Sequence, residues 1–175
     1  MIDEERSIMK IMVYGNPVLT RKAEEIRNID DGMVRLANDM IYTMHAAPGI
    51  GLAAPQVNRS VRLITVDLSV GERSEDIIIL INPEILSAEG SDILEEGCLS
   101  VPDVNEKIDR PFRVSVKGFD MRGKEKKFDA SGLLARVLCH EIDHLNGKLF
   151  IDHLSPLKKG MVKKRLRKQK NSGNG

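Results

Sequence analysis

Apolar residues recur at helical spacing in two stretches of this chain. Met33, Leu36, Met40 and Met44 fall three or four apart, with Val34, Ala37 and Ile41 beside them. That pattern predicts an amphipathic helix over residues 31–45, stopped by Pro48-Gly49. Residues 133–145 repeat it, with Gly147 placed to cap the end. Between the helices the pattern changes. Residues 61–68 are rich in β-branched side chains and predict a strand. Residues 77–81 predict a second, apolar on both faces and therefore central, ended by Asn82-Pro83. Val114 and Val116 alternate with Ser115 and Lys117 in a third, and Met121-Arg122-Gly123 predicts a hairpin turn into a fourth near Lys126-Lys127-Phe128. Strands grouped before and around two helices predict an α+β fold with mostly antiparallel sheets.

Composition narrows this picture. At 175 residues the chain has the length of one domain. A hydrophobic fraction of 41% with 30% charged residues excludes collagen, a membrane bundle and a mostly disordered chain. Aromatics are 3% and Trp is absent, so the core must be aliphatic and Met-filled, and stacking on single-stranded nucleic acid is poorly served. Two cysteines make no disulfide framework. The start, Met1-Ile2-Asp3-Glu4-Glu5-Arg6, is acidic with no apolar stretch behind it, unlike a secretory signal or transit peptide. No run approaches the roughly 18 apolar residues that span a bilayer. A cytoplasmic protein is expected, with neither a membrane nor DNA as partner.

The other end differs. Lys158, Lys159, Lys163, Lys164, Arg165, Arg167, Lys168 and Lys170 are basic, and no acidic residue follows Asp152. Ser155-Pro156 supplies an N-cap and a first-turn proline, so a helix is expected to begin there. Leu157, Met161 and Leu166 give it a thin apolar edge, and residues 171–175 are expected to fray. The formal net charge of +1 is therefore an average: residues 1–157 carry −7 and residues 158–175 carry +8. The tail is either a solvated helix whose basic residues complement its C-terminal dipole or a docking helix for an anionic partner such as RNA.

The chemistry sits in the second helix. His140-Glu141-Ile142-Asp143-His144 is an H-E-x-x-H sequence. Residues four apart share a helix face, so both imidazoles can bind one divalent ion, while Glu141 can reach a metal-bound water as general base. Leu133, Val137, His140 and His144 share one stripe, which places the histidines on the buried side. A third ligand is needed. Phe150 stands where one protease class has its third His, and no Glu follows Glu141. Asp152 and His153 stay open, but a helix ending at Gly147 would have to fold straight back. Cys98, in Glu95-Glu96-Gly97-Cys98-Leu99-Ser100, is the upstream candidate. A thiolate beside two imidazoles suits Fe²⁺, Co²⁺, Ni²⁺ or Zn²⁺ rather than Mg²⁺. Cys139 points away from His140 and is read as core; His45 and His153 receive no role. A third segment, Gly49-Ile50-Gly51-Leu52-Ala53-Ala54-Pro55-Gln56, is a loop needing positive φ or a place of close backbone approach to a substrate, with the Gln56 amide as a neutral donor.

These three segments, in this order, resemble the peptide deformylase family, whose motifs are G-x-G-L-A-A-x-Q, E-G-C-L-S and H-E-x-x-H. All three stand intact here, and residues 14–19 and 147–152 resemble the family's opening and end. The resemblance implies hydrolysis of the formyl group from N-formylmethionine of nascent peptides, with formate released. It implies one divalent ion, Fe²⁺ in the cell, held by Cys98, His140 and His144 around the central H-E-x-x-H helix. Metal-bound hydroxide attacks the formyl carbon and Glu141 moves the proton. Gln56 and the Leu99 backbone N–H stabilise the oxyanion. By the same resemblance Ile50, Gly51 and Gly97 flank the peptide, and Leu133 and Val137 line a pocket for the methionine side chain. Residues 1–157 form the catalytic domain, and the basic helix of 158–175 docks on the ribosome. The competing readings are an H-E-x-x-H endoprotease, and a ribosome- or RNA-binding protein with a relict metal site.

Overall fold

The computed structural model describes residues 6–173; Met1 to Glu5 of the acidic start, and Asn174 and Gly175 of the tail, lie outside the described residues. The elements, in chain order, are α1 (Asp31–Ala46), β1 (Gly51–Ala53), β2 (Leu63–Val66), β3 (Ile78–Glu89), β4 (Asp92–Cys98), β5 (Val101–Arg110), β6 (Arg113–Phe119), β7 (Glu125–Ser131), α2 (Gly132–Leu145) and α3 (Pro156–Ser172). Five strands form one antiparallel sheet in the order β1-β2-β3-β6-β7, and β4 and β5 form a separate two-stranded sheet. Residues 78–81 open the central strand of the larger sheet, one residue later than expected.

The helices cover opposite faces of that sheet, and strand alternation decides which residue meets which helix. In β2, Leu63 packs with Met40 and Met44 of α1. Its neighbours Ile64 and Val66 pack with Leu138, Ile142 and Leu145 of α2. Both faces of β2 are thus dry, which is why it reads as a continuous apolar run, whereas Ile78 and Ile79 of β3 are half-buried. The core is aliphatic and Met-filled, with Phe150 its largest fully buried side chain. Cys139 lies in the α2 cluster, where burial pushes its thiol up to about 11.

Helix ends follow local chemistry. Asp30 caps α1 by accepting from Met33 N at 2.9 Å. Gly147 follows α2 at φ +73°, and a side chain there would strike the Thr20 carbonyl, so two constraints demand glycine. Ser155 caps α3, with Pro156 in its first turn.

Four expectations change. Asn82-Pro83 does not end the strand: β3 runs on to Glu89 through a register shift between Ile81 and Glu84. Asn82 takes φ +50° at this bulge, where its amide both donates to and accepts from the Ile26 backbone at 2.9 Å. Gly49 and Gly51 are not among the positive-φ residues; Gly51 opens β1, so the predicted loop is partly a strand. On α3, Leu157 and Met161 are exposed. The buried edge is Val162 and Leu166, packed with Tyr14, Val101 and Phe150. The helix also continues through Asn171 and Ser172, two residues into the stretch expected to fray.

Candidate metal centre and active-site cleft

Cys98 ends β4 and pairs across a tight turn with Val101 of β5. His140 and His144 lie one turn apart on α2, whose apolar face is pinned to the five-stranded sheet. Packing of the hairpin against α2 brings the three side chains together. Cys98 Sγ lies 3.4 Å from His144 Nε2, which lies 3.2 Å from His140 Nε2. All three ligand atoms fall within 4.8 Å of one another, the one such group among the described residues. A divalent ion fits this donor set. Burial holds His144 well below its usual pKa and therefore neutral. His140 is drawn above its usual range despite burial, because Cys98 and Glu96 favour positive charge at that point. Glu141 Oε2 is buried without a hydrogen-bond partner among the described residues.

A cavity of about 520 Å³ opens beside this group, lined by Ile50, Gly51, Gln56, Gly97, Cys98, Leu99, Leu133, Val137, His140 and Glu141, among others. Every predicted site residue except His144 is on this wall, and His144 sits behind it against Cys98 and His140. Burial, only partly offset by His140, pushes Glu141 up to about 7. Gln56 is oriented by its own turn. Its Oε1 accepts from Ala53 N at 2.9 Å, so its amide nitrogen faces Ser100 Oγ at 3.1 Å and Cys98 Sγ at 3.6 Å. Gly51 is a glycine because a side chain there would strike the Glu141 carboxylate and come within 2.9 Å of Val137 Cγ1. A side chain on Gly97 would strike Asn105 Oδ1. A larger groove of about 1080 Å³ lies between residues 10–17 and α3, away from this centre.

Behind the centre lies a buried charge network that the sequence reading missed. Glu96 accepts from His140 Nδ1 at 3.0 Å, from Arg110 Nε at 2.8 Å and from Arg136 Nη1 at 2.8 Å. Burial alone would raise its pKa, but the bonds from His140 and Arg110 lower it to about 2. Arg110 also reaches Asp143 Oδ2 at 2.6 Å, and His153 meets the same oxygen at 2.7 Å. His153 therefore supports this network rather than supplying a third ligand, and Asp152 holds Leu149 N and Lys159. Only Glu96 had a legible signal, two residues before Cys98 on the same strand, although the register shifts between them. The carboxylate fixes the His140 ring, as partners of ligating imidazoles do.

The profile of the polypeptide deformylase family matches residues 8–160. The chain belongs to the polypeptide deformylase family. It is 49% identical to the peptide deformylase of Thermodesulfovibrio yellowstonii over 94% of this chain and 99% of that one. It is 46% identical to the peptide deformylase of Syntrophobacter fumaroxidans over 93% and 96%. A crystal structure of a peptide deformylase from Legionella pneumophila superposes with a TM-score of 0.88 at 42% identity, covering 96% of this chain and 98% of that chain. Deformylases are metal-dependent hydrolases, in keeping with the converging thiol and imidazoles. Among the described residues no helix is long and apolar enough to cross a membrane.

Proposed function

We propose that this cleft removes the formyl group from N-formylmethionine at the start of nascent polypeptides, with Cys98, His140 and His144 as ligands of one divalent ion at the core of an α+β fold. The observation that carries the reading is the convergence of those three donors beside a cavity whose wall also bears Glu141, with a buried Oε2 that has no hydrogen-bond partner among the described residues. The ion, Fe²⁺ in the cell with Ni²⁺, Co²⁺ or Zn²⁺ compatible with the same ligands, would supply Lewis acidity at this centre. Glu141, with its pKa near neutrality, takes a proton from the attacking water. The water oxygen bonds to the formyl carbon, the carbon–nitrogen bond breaks, and Glu141 delivers its proton to the departing amine; formate and a free N-terminus result. The Gln56 amide and the Leu99 backbone N–H donate to the developing oxyanion, each such donor contributing roughly 2.7–4 kcal/mol to lowering the barrier. Ile50, Gly51 and Gly97 flank the peptide backbone. Leu133 and Val137 line the methionine pocket.

The test compares formate release from a formyl-Met peptide with cleavage of an internal peptide bond. Release of formate alone is expected, and cleavage of the internal bond alone would overturn the assignment in favour of an endoprotease. Glu141→Gln should retain one equivalent of metal and lose about 10²–10⁴ in kcat; unchanged kcat removes Glu141 from its role.

Residues 1–157 form the catalytic body in a cytoplasmic enzyme, and the basic helix docks it on the ribosome. Lys163, Lys164, Arg167, Lys168 and Lys170 support this, since none pairs with a carboxylate among the described residues, whereas Lys158 and Lys159 are tied to Glu106 and Asp152. Deleting the helix would also strip Val162 and Leu166 from the core. Neutralising those five side chains to Gln is the cleaner test. Ribosome binding should weaken and its salt dependence flatten, with short-peptide turnover unchanged; equal ribosome affinity would end the proposal.

A further inference from the structure

One buried carboxylate outside the reaction centre is held by more donors than its position explains. Asp67, just after β2, is fully buried. Its Oδ1 accepts from Ser69 N at 2.9 Å and Ser69 Oγ at 2.7 Å; its Oδ2 accepts from Gly71 N at 2.8 Å and contacts His45 Nε2 at 2.7 Å. Its own backbone N–H donates to the Ile50 carbonyl at 2.9 Å. That last bond extends the β1–β2 ladder one step beyond Gly51–Val66, into the segment that borders the cleft. His45 belongs to the last turn of α1, and a side chain on Gly71 would begin in van der Waals contact with its ring. One residue therefore joins three places: its carboxylate ties the end of α1 to the loop after β2, and its backbone N–H holds the flank of the cleft wall.

The loop records the tension of that arrangement. Val70 takes φ +53°, a conformation that β-branched residues avoid. It is enclosed by the two Asp67-bound residues on either side, and Ser69 Oγ additionally accepts from Arg73 N at 3.0 Å. Strained backbone persists where neighbours over-determine it, and such places gather at ligand-binding walls. In the loop of residues 47–49 the inward backbone bonds are Ala47 N to Thr43 O and Gly49 N to Met44 O, both to α1 itself.

We propose that Asp67 is a positioning residue for peptide recognition: through His45 on one side and Ile50 on the other, it fixes the backbone of the Ile50–Gly51 wall at the separation that an extended substrate requires. The proposal rests on the reading of that wall as peptide-binding. It assigns Asp67 no contact with substrate and no part in moving protons.

The test measures kcat and KM for formyl-Met-amide and for a formyl-Met tripeptide, with metal content determined on each preparation. The native enzyme should favour the tripeptide in KM. Asp67→Asn presents an N–H to donors, and His45→Ala removes one; each should raise the tripeptide KM about tenfold, with kcat and one equivalent of metal retained. His45→Gln keeps a donor and should recover most of the loss. Unaltered KM in both variants overturns the proposal, as does an equal fall in kcat on both substrates, which marks general structural damage. If Asp67→Asn does not fold, the His45 pair decides. Absence of any chain-length preference in the native enzyme refutes the peptide-binding wall itself, a failure separable from that of Asp67.

Discussion

The carboxylate of Glu141 fills the space that a side chain on Gly51 would need. The two residues come from different layers, one from α2 and one from the first strand of the sheet beneath it. Their contact fixes how close the carboxylate stands to the cleft wall.

Gly51→Ala should therefore act on chemistry. The added methyl meets Glu141 and lies 2.9 Å from Val137 Cγ1, so one or both side chains must shift toward the cleft they line. Displacing the carboxylate by about 1 Å should lower kcat about 100-fold. Metal analysis should still find one equivalent, and a kcat within twofold of the native value would show that Glu141 tolerates the shift.

The two cysteines should separate cleanly. Cys98→Ala removes one of three proposed ligands and should leave below about a tenth of an equivalent of metal. Cys139→Ala changes only packing in the α2 cluster and should retain the metal. Elemental analysis of both proteins, purified without oxygen, checks the ligand assignment.

Arg110 is 3% exposed and bridges Glu96 and Asp143. Arg110→Met should remove the cation that the two carboxylates share, leaving Glu96 to Arg136 and His140 and Asp143 to His153, and cost about 3 kcal/mol in urea unfolding. The double variant with Glu96→Gln should lose less than the sum of the single changes, because the residues share one network. Additive losses would mean that the network is not coupled.

Asp67 gives the acid limb of the stability curve a defined sign. Burial alone would raise its pKa, but the donors from Ser69, Gly71 and His45 lower it from 3.8 to about 2. A carboxylate with a depressed native pKa stabilises the fold fully above its unfolded value, and that contribution disappears as pH falls through the native one. The stability advantage of the native protein over Asp67→Asn should thus be constant above about pH 5 and shrink between pH 4 and pH 2. Parallel curves from chemical denaturation would contradict it.

What was legible in the sequence was local. The α2 helix, the spacing of His140 and His144, the Ser155-Pro156 start of α3 and the central place of the strand that begins at Ile78 all depend on neighbours along the chain. The α2 stripe was misread at Leu133, which is exposed, because the face packed on the sheet is Ala135, Leu138, Ile142 and Leu145. The β4–β5 ribbon was legible only at its Cys98 end. In β5, the buried residues Val101, Val104 and Ile108 break the period of two, and Asp103 takes φ +62° between them. β3 was cut short because Asn82-Pro83 reads as punctuation, whereas the folded chain turns it into a bulge secured by Ile26, 56 residues away. Arg110 and Arg136 were invisible for the same reason. A buried arginine is defined by the carboxylates the fold brings to it, and nothing in its own sequence context announces them.

The two sheets share no hydrogen-bonded ladder, yet the proposed ligands come one from the hairpin and two from the helix bound to the larger sheet. An ion at this centre is consequently a rivet between separately built pieces. Its occupancy and the docking of the hairpin are one equilibrium seen from two sides, so chelation should loosen β4 and β5 before it disturbs the five-stranded sheet.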